Sequence, residues 1–108
     1  MTDGALLRLD VRRPRPGRVI VAVHGEVDML TAPDLALGLE QHLDGTGTLV
    51  VDLSEVVFFG AAGLEVLLHI QTEARRRGMA LQLVTGPHLQ RLLHLVDLDR
   101  ALPLHDAR

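Results

Sequence analysis

The first part of the sequence has the hydrophobic pattern of two β-strands joined by a short loop. Residues 7–11 alternate apolar and polar side chains, which is typical of a half-buried strand. Residues 19–23 are continuously apolar and rich in β-branched side chains, which is typical of a central strand covered on both faces. Between them, Pro14, Pro16 and Gly17 favour a tight loop. The pattern predicts an N-terminal antiparallel hairpin.

An amphipathic helix is predicted after the hairpin. Its apolar positions recur every four residues, at Leu35, Leu39 and Leu43, with Leu37 beside them. Thr31 stands at the expected N-cap position, and Pro33 fits the first turn of a helix. The glycine-rich turn at residues 45–47 is expected to end the helix.

Strands and helices then alternate to the end of the sequence. Residues 48–53 and 79–84 have the apolar runs of buried strands, and residues 102–104 predict a short edge strand. Helical spacing of leucines begins at Gly63 and again at Pro87. Because strands that alternate with helices imply βαβ crossovers, we predict an α/β fold. Its sheet is mixed and mostly parallel, with four to five strands, crossover helices and the N-terminal antiparallel hairpin.

Length and composition narrow the possible functions. The 108 residues are 47% hydrophobic, which is enough for one core, so residues 1–108 are expected to form a single domain. The absence of cysteine excludes disulfides and thiolate chemistry. Aromatic residues make up 2% of the chain, so the ring platforms on which single-stranded nucleic acid stacks are missing.

Charge is unevenly distributed along the chain. The net charge is −3, yet residues 1–18 contain five arginines and two aspartates, so the remaining body is acidic. An acidic body argues against direct nucleic-acid binding. The arginine cluster within residues 12–18 has two interpretations, a solvated hairpin loop or a contact with an acidic partner. The sequence begins without a secretory signal, and residues 56–64, its longest apolar run, are too short for a membrane span. A cytoplasmic protein without membrane insertion is therefore expected.

Few side chains offer reaction chemistry. His24, Glu26 and Asp28 would share one face of an extended strand, as metal ligands do, but Gly25 interrupts them and no second cluster supplies further ligands. Ser54 is the only serine and is expected to make a local hydrogen bond after its strand. We therefore expect no enzymatic activity, no metal and no cofactor.

The sequence also predicts the surroundings of two histidines, His69 and His42. His69 and Glu73 lie one helical turn apart, where a surface pair is the ordinary outcome. His42 lies near the end of the first helix, and the sequence places nothing nearby that would change its pKa.

Four small residues stand at a strand-to-helix junction, residues 60–63 with the sequence Gly-Ala-Ala-Gly. Exposed backbone N–H groups at such a junction can receive an anion or let a partner chain approach closely. Small residues also allow tight packing of a helix on a sheet. The pattern leaves both interpretations open.

Taken together, these segments resemble the STAS domain, the fold of anti-sigma factor antagonists and of the cytoplasmic tails of sulfate transporters. Residues 25–33 resemble the family's G-E-[LV]-D-x-x-T-A-P stretch. Residues 50–54, with Phe58 and then Gly63 and Leu64, resemble its V-D-L-S…F-x-D-S-S-G-L core. Residues 87–93 and 98–103 resemble its closing helix and strand. Three matches in the correct order make the resemblance specific.

The resemblance implies an antagonist that binds an anti-sigma factor of the serine-kinase type and so releases a sigma factor. In the family, the kinase switches the antagonist off by phosphorylating the first serine of D-S-S-G. Ala61 occupies that position here, and Gly60 replaces the acid before it, so this switch is expected to be missing. The expected partner-binding residues are Glu26, Asp28, Thr31, Gly60, Ala61, Ala62, Gly63 and Leu64.

Two further hypotheses remain. The chain could be a diverged STAS scaffold whose partner is no longer a kinase. It could also be a subunit that binds an anion or small molecule through the backbone amides of residues 60–63, for example in a membrane lipid transporter.

Overall fold

Eight elements build the part of the chain that this computed structural model describes, residues 7–106. The strands are β1 (Leu7–Arg15), β2 (Arg18–Val27), β3 (Thr48–Phe59), β4 (Ala80–Thr85) and β5 (Leu104–Asp106). The helices are α1 (Ala32–Glu40), α2 (Ala61–Arg76) and α3 (Pro87–Leu95). None of these helices is both long and apolar enough to cross a membrane.

The five strands form one sheet in the order β1-β2-β3-β4-β5. β1 pairs antiparallel with β2, and all later neighbours are parallel. This topology confirms the predicted α/β fold with its N-terminal hairpin. The last strand begins at Leu104 and not at Leu102, because its pairing with β4 starts where Leu83 lies opposite Leu104.

The hydrophobic core lies on the face of the sheet that carries α1 and α2, which pack against each other. β2 buries Val21 and Val23 completely on this face, whereas Ile20 and Ala22 are only half-buried. The expectation that this strand is covered on both faces is therefore wrong. Because the strands follow one another in order, right-handed crossovers place successive helices on the same face.

α1 begins where the sequence predicts and ends earlier than expected. Thr31 occupies the N-cap position, with Pro33 in the first turn, but the Thr31 side chain makes no capping hydrogen bond. The helix ends at Glu40, and the following turn carries Leu43 into the core. Leu37 is 61% exposed, because it lies two positions from the buried leucines and so on the opposite side of the helix.

β3 is longer than the sequence predicts, and α2 begins earlier. The strand continues to Phe59 because β2 keeps pairing with it as far as Val27, which lies opposite Phe59. Gly60 is then the N-cap, and α2 begins at Ala61, two residues before the predicted start at Gly63. One residue thus separates the end of a central strand from the start of a helix.

Candidate functional site

The loop between β2 and α1 is held together by the side chains of Asp28 and Thr31. Asp28 Oδ1 accepts hydrogen bonds from the N–H groups of Leu30 at 2.9 Å and Thr31 at 3.0 Å. Thr31 Oγ1 accepts the Asp28 N–H at 3.0 Å and donates to the Glu26 carbonyl oxygen at 2.8 Å. These bonds lower the pKa of the Asp28 carboxyl group, and the Thr31 N–H is the largest cause. Asp28 and Thr31 therefore shape the loop.

This loop presents two large apolar side chains to solvent. Met29 and Leu30 are each 80% exposed, although the residues on either side of them are fixed by hydrogen bonds. Neighbouring exposed apolar side chains of this size are characteristic of protein-binding surfaces. The loop thus offers an apolar contact on a defined backbone.

The junction between β3 and α2 lies beside this loop. The Gly60 N–H donates to the Val27 carbonyl oxygen at 2.8 Å, which ties the start of α2 to the end of β2. Phe58, near the end of β3, is 54% exposed. Exposure falls along the first turn of the helix: Ala61 is exposed, Ala62 and Leu64 are half-buried, and Gly63 is buried.

Gly63 is a packing position. A Cβ atom at Gly63 would lie 2.7 Å from Val27 Cγ1 and 2.8 Å from the Phe59 ring. The Gly63 N–H donates to the Gly60 carbonyl oxygen at 3.0 Å, and the Gly60 N–H is bonded to Val27. Two of the four amides at residues 60–63 therefore already have acceptors, which favours the tight-packing interpretation at Gly63.

The loop and the junction lie side by side, and we call their apolar side chains the apolar surface, defined as Met29, Leu30, Phe58, Ala61 and the half-buried Ala62. A groove of about 300 Å³ continues from it between α1 and α2. The groove is lined by Met29, Ala32, Pro33, Ala36, Ala62, Glu65, Val66 and His69. A shallow apolar groove beside exposed apolar side chains is suited to contact with another protein.

The sequence prediction selected the polar residues of this region and missed its large apolar ones. Glu26, Asp28 and Thr31 were expected to bind a partner. The side chains of Asp28 and Thr31 make hydrogen bonds within the loop. Met29 and Leu30 follow directly after Asp28. Two large apolar residues in a predicted loop were the signal that could have indicated an exposed apolar surface. Because Asp28 and Thr31 close a tight turn, the two side chains between them are left in solvent.

An ion pair lies at the far end of the groove. His69 Nε2 is 2.9 Å from Glu40 Oε2, which connects α2 to α1. The predicted pair between His69 and Glu73 is wrong. Glu73 instead contacts the arginines at the end of its own helix, at 2.9 Å from Arg76 and 3.7 Å from Arg77.

The other candidate chemical groups are separated from one another. His24 pairs with Asp10 on β1 at 3.2 Å, while Asp28 is bonded within its loop. In the described residues, no three His, Asp or Glu side chains are grouped as they would be around a metal ion. Ser54 Oγ donates to Asp52 Oδ1 at 2.6 Å, a local bond as predicted, but within β3 and not after it.

His42 has a partner that the sequence did not indicate. Its Nδ1 lies 3.3 Å from the Arg13 guanidinium group, because the hairpin folds against the segment after α1. Burial and then the positive charge of Arg13 lower the pKa of His42. The expectation that nothing affects this histidine is wrong.

Comparison with known proteins supports the resemblance seen in the motifs. The family model described as "Mlab, STAS domain" matches residues 11–105. The anti-sigma-F factor antagonist RsfB of Mycobacterium tuberculosis (strain CDC 1551 / Oshkosh) is 33% identical over 97 residues. The match covers 84% of this chain and 79% of RsfB.

Solved structures have the same fold. An anti-sigma factor antagonist from Mycobacterium paratuberculosis superposes with a TM-score of 0.79 at 32% identity, covering 97% of this chain and 90% of that one. The Bacillus cell fate determinant SpoIIAA in its phosphorylated form has a TM-score of 0.71 at 14% identity, covering 94% and 92%, and supports the fold alone. From the family match and these relatives together, we conclude that the chain belongs to the STAS domain family, among the anti-sigma factor antagonists.

Proposed function

We propose that this protein binds an anti-sigma factor of the serine-kinase type through the apolar surface and thereby releases a sigma factor. The observation that carries the proposal is the exposure of Met29, Leu30 and Phe58 around the start of α2. Burial of exposed apolar side chains in a complex removes them from water and so favours binding. The names of RsfB and of the Mycobacterium paratuberculosis protein, both anti-sigma factor antagonists, support this class of partner.

The expected partner-binding residues have different roles within this proposal. Asp28 and Thr31 hold the loop that presents Met29 and Leu30, and the Glu26 carbonyl group anchors Thr31. The others are at the junction: Gly60 and Gly63 let the helix lie close to the sheet, and Ala61, Ala62 and Leu64 provide contact area.

We also propose that phosphorylation at this junction does not regulate the protein. Ala61 is exposed at the first position of α2, and its methyl group cannot accept a phosphate. A phosphate would add about −1.5 to −2 charges to the apolar surface and oppose its burial. Without that group, binding is constitutive.

The proposed role is binding and not catalysis. Ser54 is the only serine, and its hydroxyl group donates to the Asp52 carboxylate. A nucleophilic serine is usually activated by a histidine, and no histidine is hydrogen-bonded to Ser54 within residues 7–106. Ser54 is accordingly a structural residue in this proposal.

The test is calorimetric titration of the protein with a serine-kinase type anti-sigma factor from the same organism. Ala61→Asp should weaken binding by about tenfold or more, because a carboxylate buried without a partner is costly. The fold should persist, since an acid at a helix N-terminus is favourable. Ala101→Asp is the matched control, because it adds the same charge at another exposed alanine. Unchanged affinity of Ala61→Asp would place the interface elsewhere, and no binding by the unmodified protein would refute the partner.

The second arm incubates the complex with ATP and measures intact mass. The unmodified protein should keep its mass, whereas Ala61→Ser should gain one phosphoryl group and then lose affinity. Ser54 is the only serine within residues 54–64, so a modified peptide from that region in the unmodified protein would contradict the proposal.

A further inference from the structure

A second concave surface lies at the other end of the sheet. It forms where the β1–β2 turn meets the segment between α1 and β3, at the amino-terminal ends of β2 and β3. Its volume of about 460 Å³ is within the range of pockets that hold small ligands. We call it the basic cleft, and its charged and hydroxyl-bearing lining residues are Arg13, Arg15, Arg18, Asp44, Thr46 and Thr48.

Positive charge dominates the basic cleft. In residues 7–106, no carboxylate lies within ion-pair distance of Arg13, Arg15 or Arg18. The single carboxylate of the lining, Asp44, accepts hydrogen bonds from the Thr46 N–H at 3.1 Å and hydroxyl at 3.0 Å. Since the whole protein has a net charge of −3, this concave positive region has the opposite sign to the rest and attracts anions.

Backbone contacts hold the two walls of the cleft together. The Thr48 N–H donates to the Gly17 carbonyl oxygen at 2.8 Å. A side chain at Gly47 would overlap the Gly17 backbone, so the turn and the segment before β3 meet at two glycines. The two walls of the cleft are therefore held in a fixed relative position by the backbone.

Two of the three guanidinium groups are positioned by neighbouring side chains. Arg13 donates to His42 Nδ1 at 3.3 Å, and Arg18 donates to Gln82 Oε1 at 3.4 Å. Both acceptors are neutral in this arrangement, so the positive charges are oriented without being cancelled. Side chains that are already oriented lose less conformational entropy when a ligand binds. Arg15 has no such partner in the described residues and is exposed.

We propose that the basic cleft binds a small polyanion that carries two or more negative charges on phosphate or carboxylate groups. Guanidinium groups bind such oxyanions through paired, charge-assisted hydrogen bonds. Three arginines against one aspartate leave an excess of two positive charges, which a dianion would neutralise. The cleft is separate from the apolar surface, so this proposal does not depend on the anti-sigma factor.

The test is calorimetric titration of the full-length protein with sodium pyrophosphate and, separately, with citrate at low ionic strength. Arg15→Gln should weaken binding by about tenfold and leave the melting temperature unchanged, because the Arg15 side chain has no hydrogen-bond or ion-pair partner among residues 7–106. Arg18→Gln is the second variant. Arg91→Gln is the matched control, since Arg91 is exposed on α3 and also has no carboxylate within ion-pair distance in residues 7–106.

Binding of either anion that Arg15→Gln weakens and Arg91→Gln does not would support the proposal. Pyrophosphate alone would identify a phosphate ligand, and citrate alone a carboxylate ligand. The proposal is overturned if neither anion binds or if the control loses as much affinity as Arg15→Gln. A hexaglutamate peptide is titrated in the same way, and its binding without that of either small anion would overturn the proposal in favour of an extended acidic partner.

Discussion

Ala61 and Gly63, two small residues at the β3–α2 junction, have different surroundings. Ala61 is exposed, and a larger side chain there would meet solvent or a partner. Gly63 is surrounded by Val27 and the Phe59 ring, so only a hydrogen atom fits at its side-chain position. A larger side chain can therefore be accommodated at Ala61, whereas packing requires glycine at position 63.

Gly63→Ala should destabilise the protein by about 1–3 kcal/mol, the usual effect of adding a methyl group to a packed core. The free energy of unfolding in urea is the measurement. Gly38→Ala on α1 is the control, because its added methyl would meet only the end of the Leu9 side chain, which can move. Alanine also favours the helix, so the control should be close to neutral. Equal losses for the two variants would contradict the packing role of Gly63.

At the residue scale, the sequence located the site but not the side chains that it exposes. Thr31 was correctly placed just before α1, yet its hydroxyl bonds to Glu26 and Asp28 and not to the helix. Ser, Thr and Asp side chains bond to whichever backbone groups the local turn brings near, and a motif does not specify that turn. The exposure of Met29 and Leu30 follows from the same turn and was missed for the same reason.

At the element scale, the number and order of strands and helices were predictable, and their ends were less so. The apolar run of β3 was expected to stop at Leu53, but pairing with β2 carries the strand to Phe59. Pairing depends on the neighbouring strand, whereas periodicity reports only which side chains are buried. For the same reason α2 was expected to begin at Gly63, where its buried face begins, and not at Ala61.

The end of α3 carries a pair that makes stability depend on pH. His94 Nδ1 lies 2.9 Å from Asp99 Oδ2. This bond raises the pKa of His94 and lowers the pKa of Asp99, in both cases as the largest cause. The stabilisation from His94 is complete below about pH 6.5 and is lost as pH rises through its raised pKa. The stabilisation from Asp99 is complete above about pH 4 and is lost as pH falls through its lowered pKa.

His94→Gln should therefore reduce the stability of the protein more at about pH 5.5 than at about pH 8.5. The measurement is the difference in free energy of unfolding between the variant and the unmodified protein at the two pH values. His88→Gln is the control, because His88 is exposed on the same helix and has no ion pair in residues 7–106. A loss from His94→Gln that is the same at both pH values would show that the charge of His94 does not matter.

At the scale of the whole molecule, the two surfaces lie at opposite ends of the mixed sheet. The apolar surface lies at the carboxyl ends of β2 and β3, and the basic cleft lies at their amino ends. β3 has 12 residues, and the 11 steps of about 3.3 Å between them place its ends up to about 36 Å apart. That separation is several times the Debye length of about 8 Å at physiological ionic strength. Charges in the cleft should therefore not affect binding at the apolar surface directly.

The two proposed sites should consequently be independent. Arg15→Gln should leave the affinity for the anti-sigma factor unchanged, and Ala61→Asp should leave the affinity for pyrophosphate unchanged. In the double variant, the loss of binding free energy for pyrophosphate should equal that of Arg15→Gln alone, and the loss for the anti-sigma factor should equal that of Ala61→Asp alone. Agreement to within about 0.5 kcal/mol is expected for distant positions without shared contacts. Calorimetry of the four proteins with each ligand measures this. A larger deviation would mean that a change at one end of the sheet is transmitted to the other.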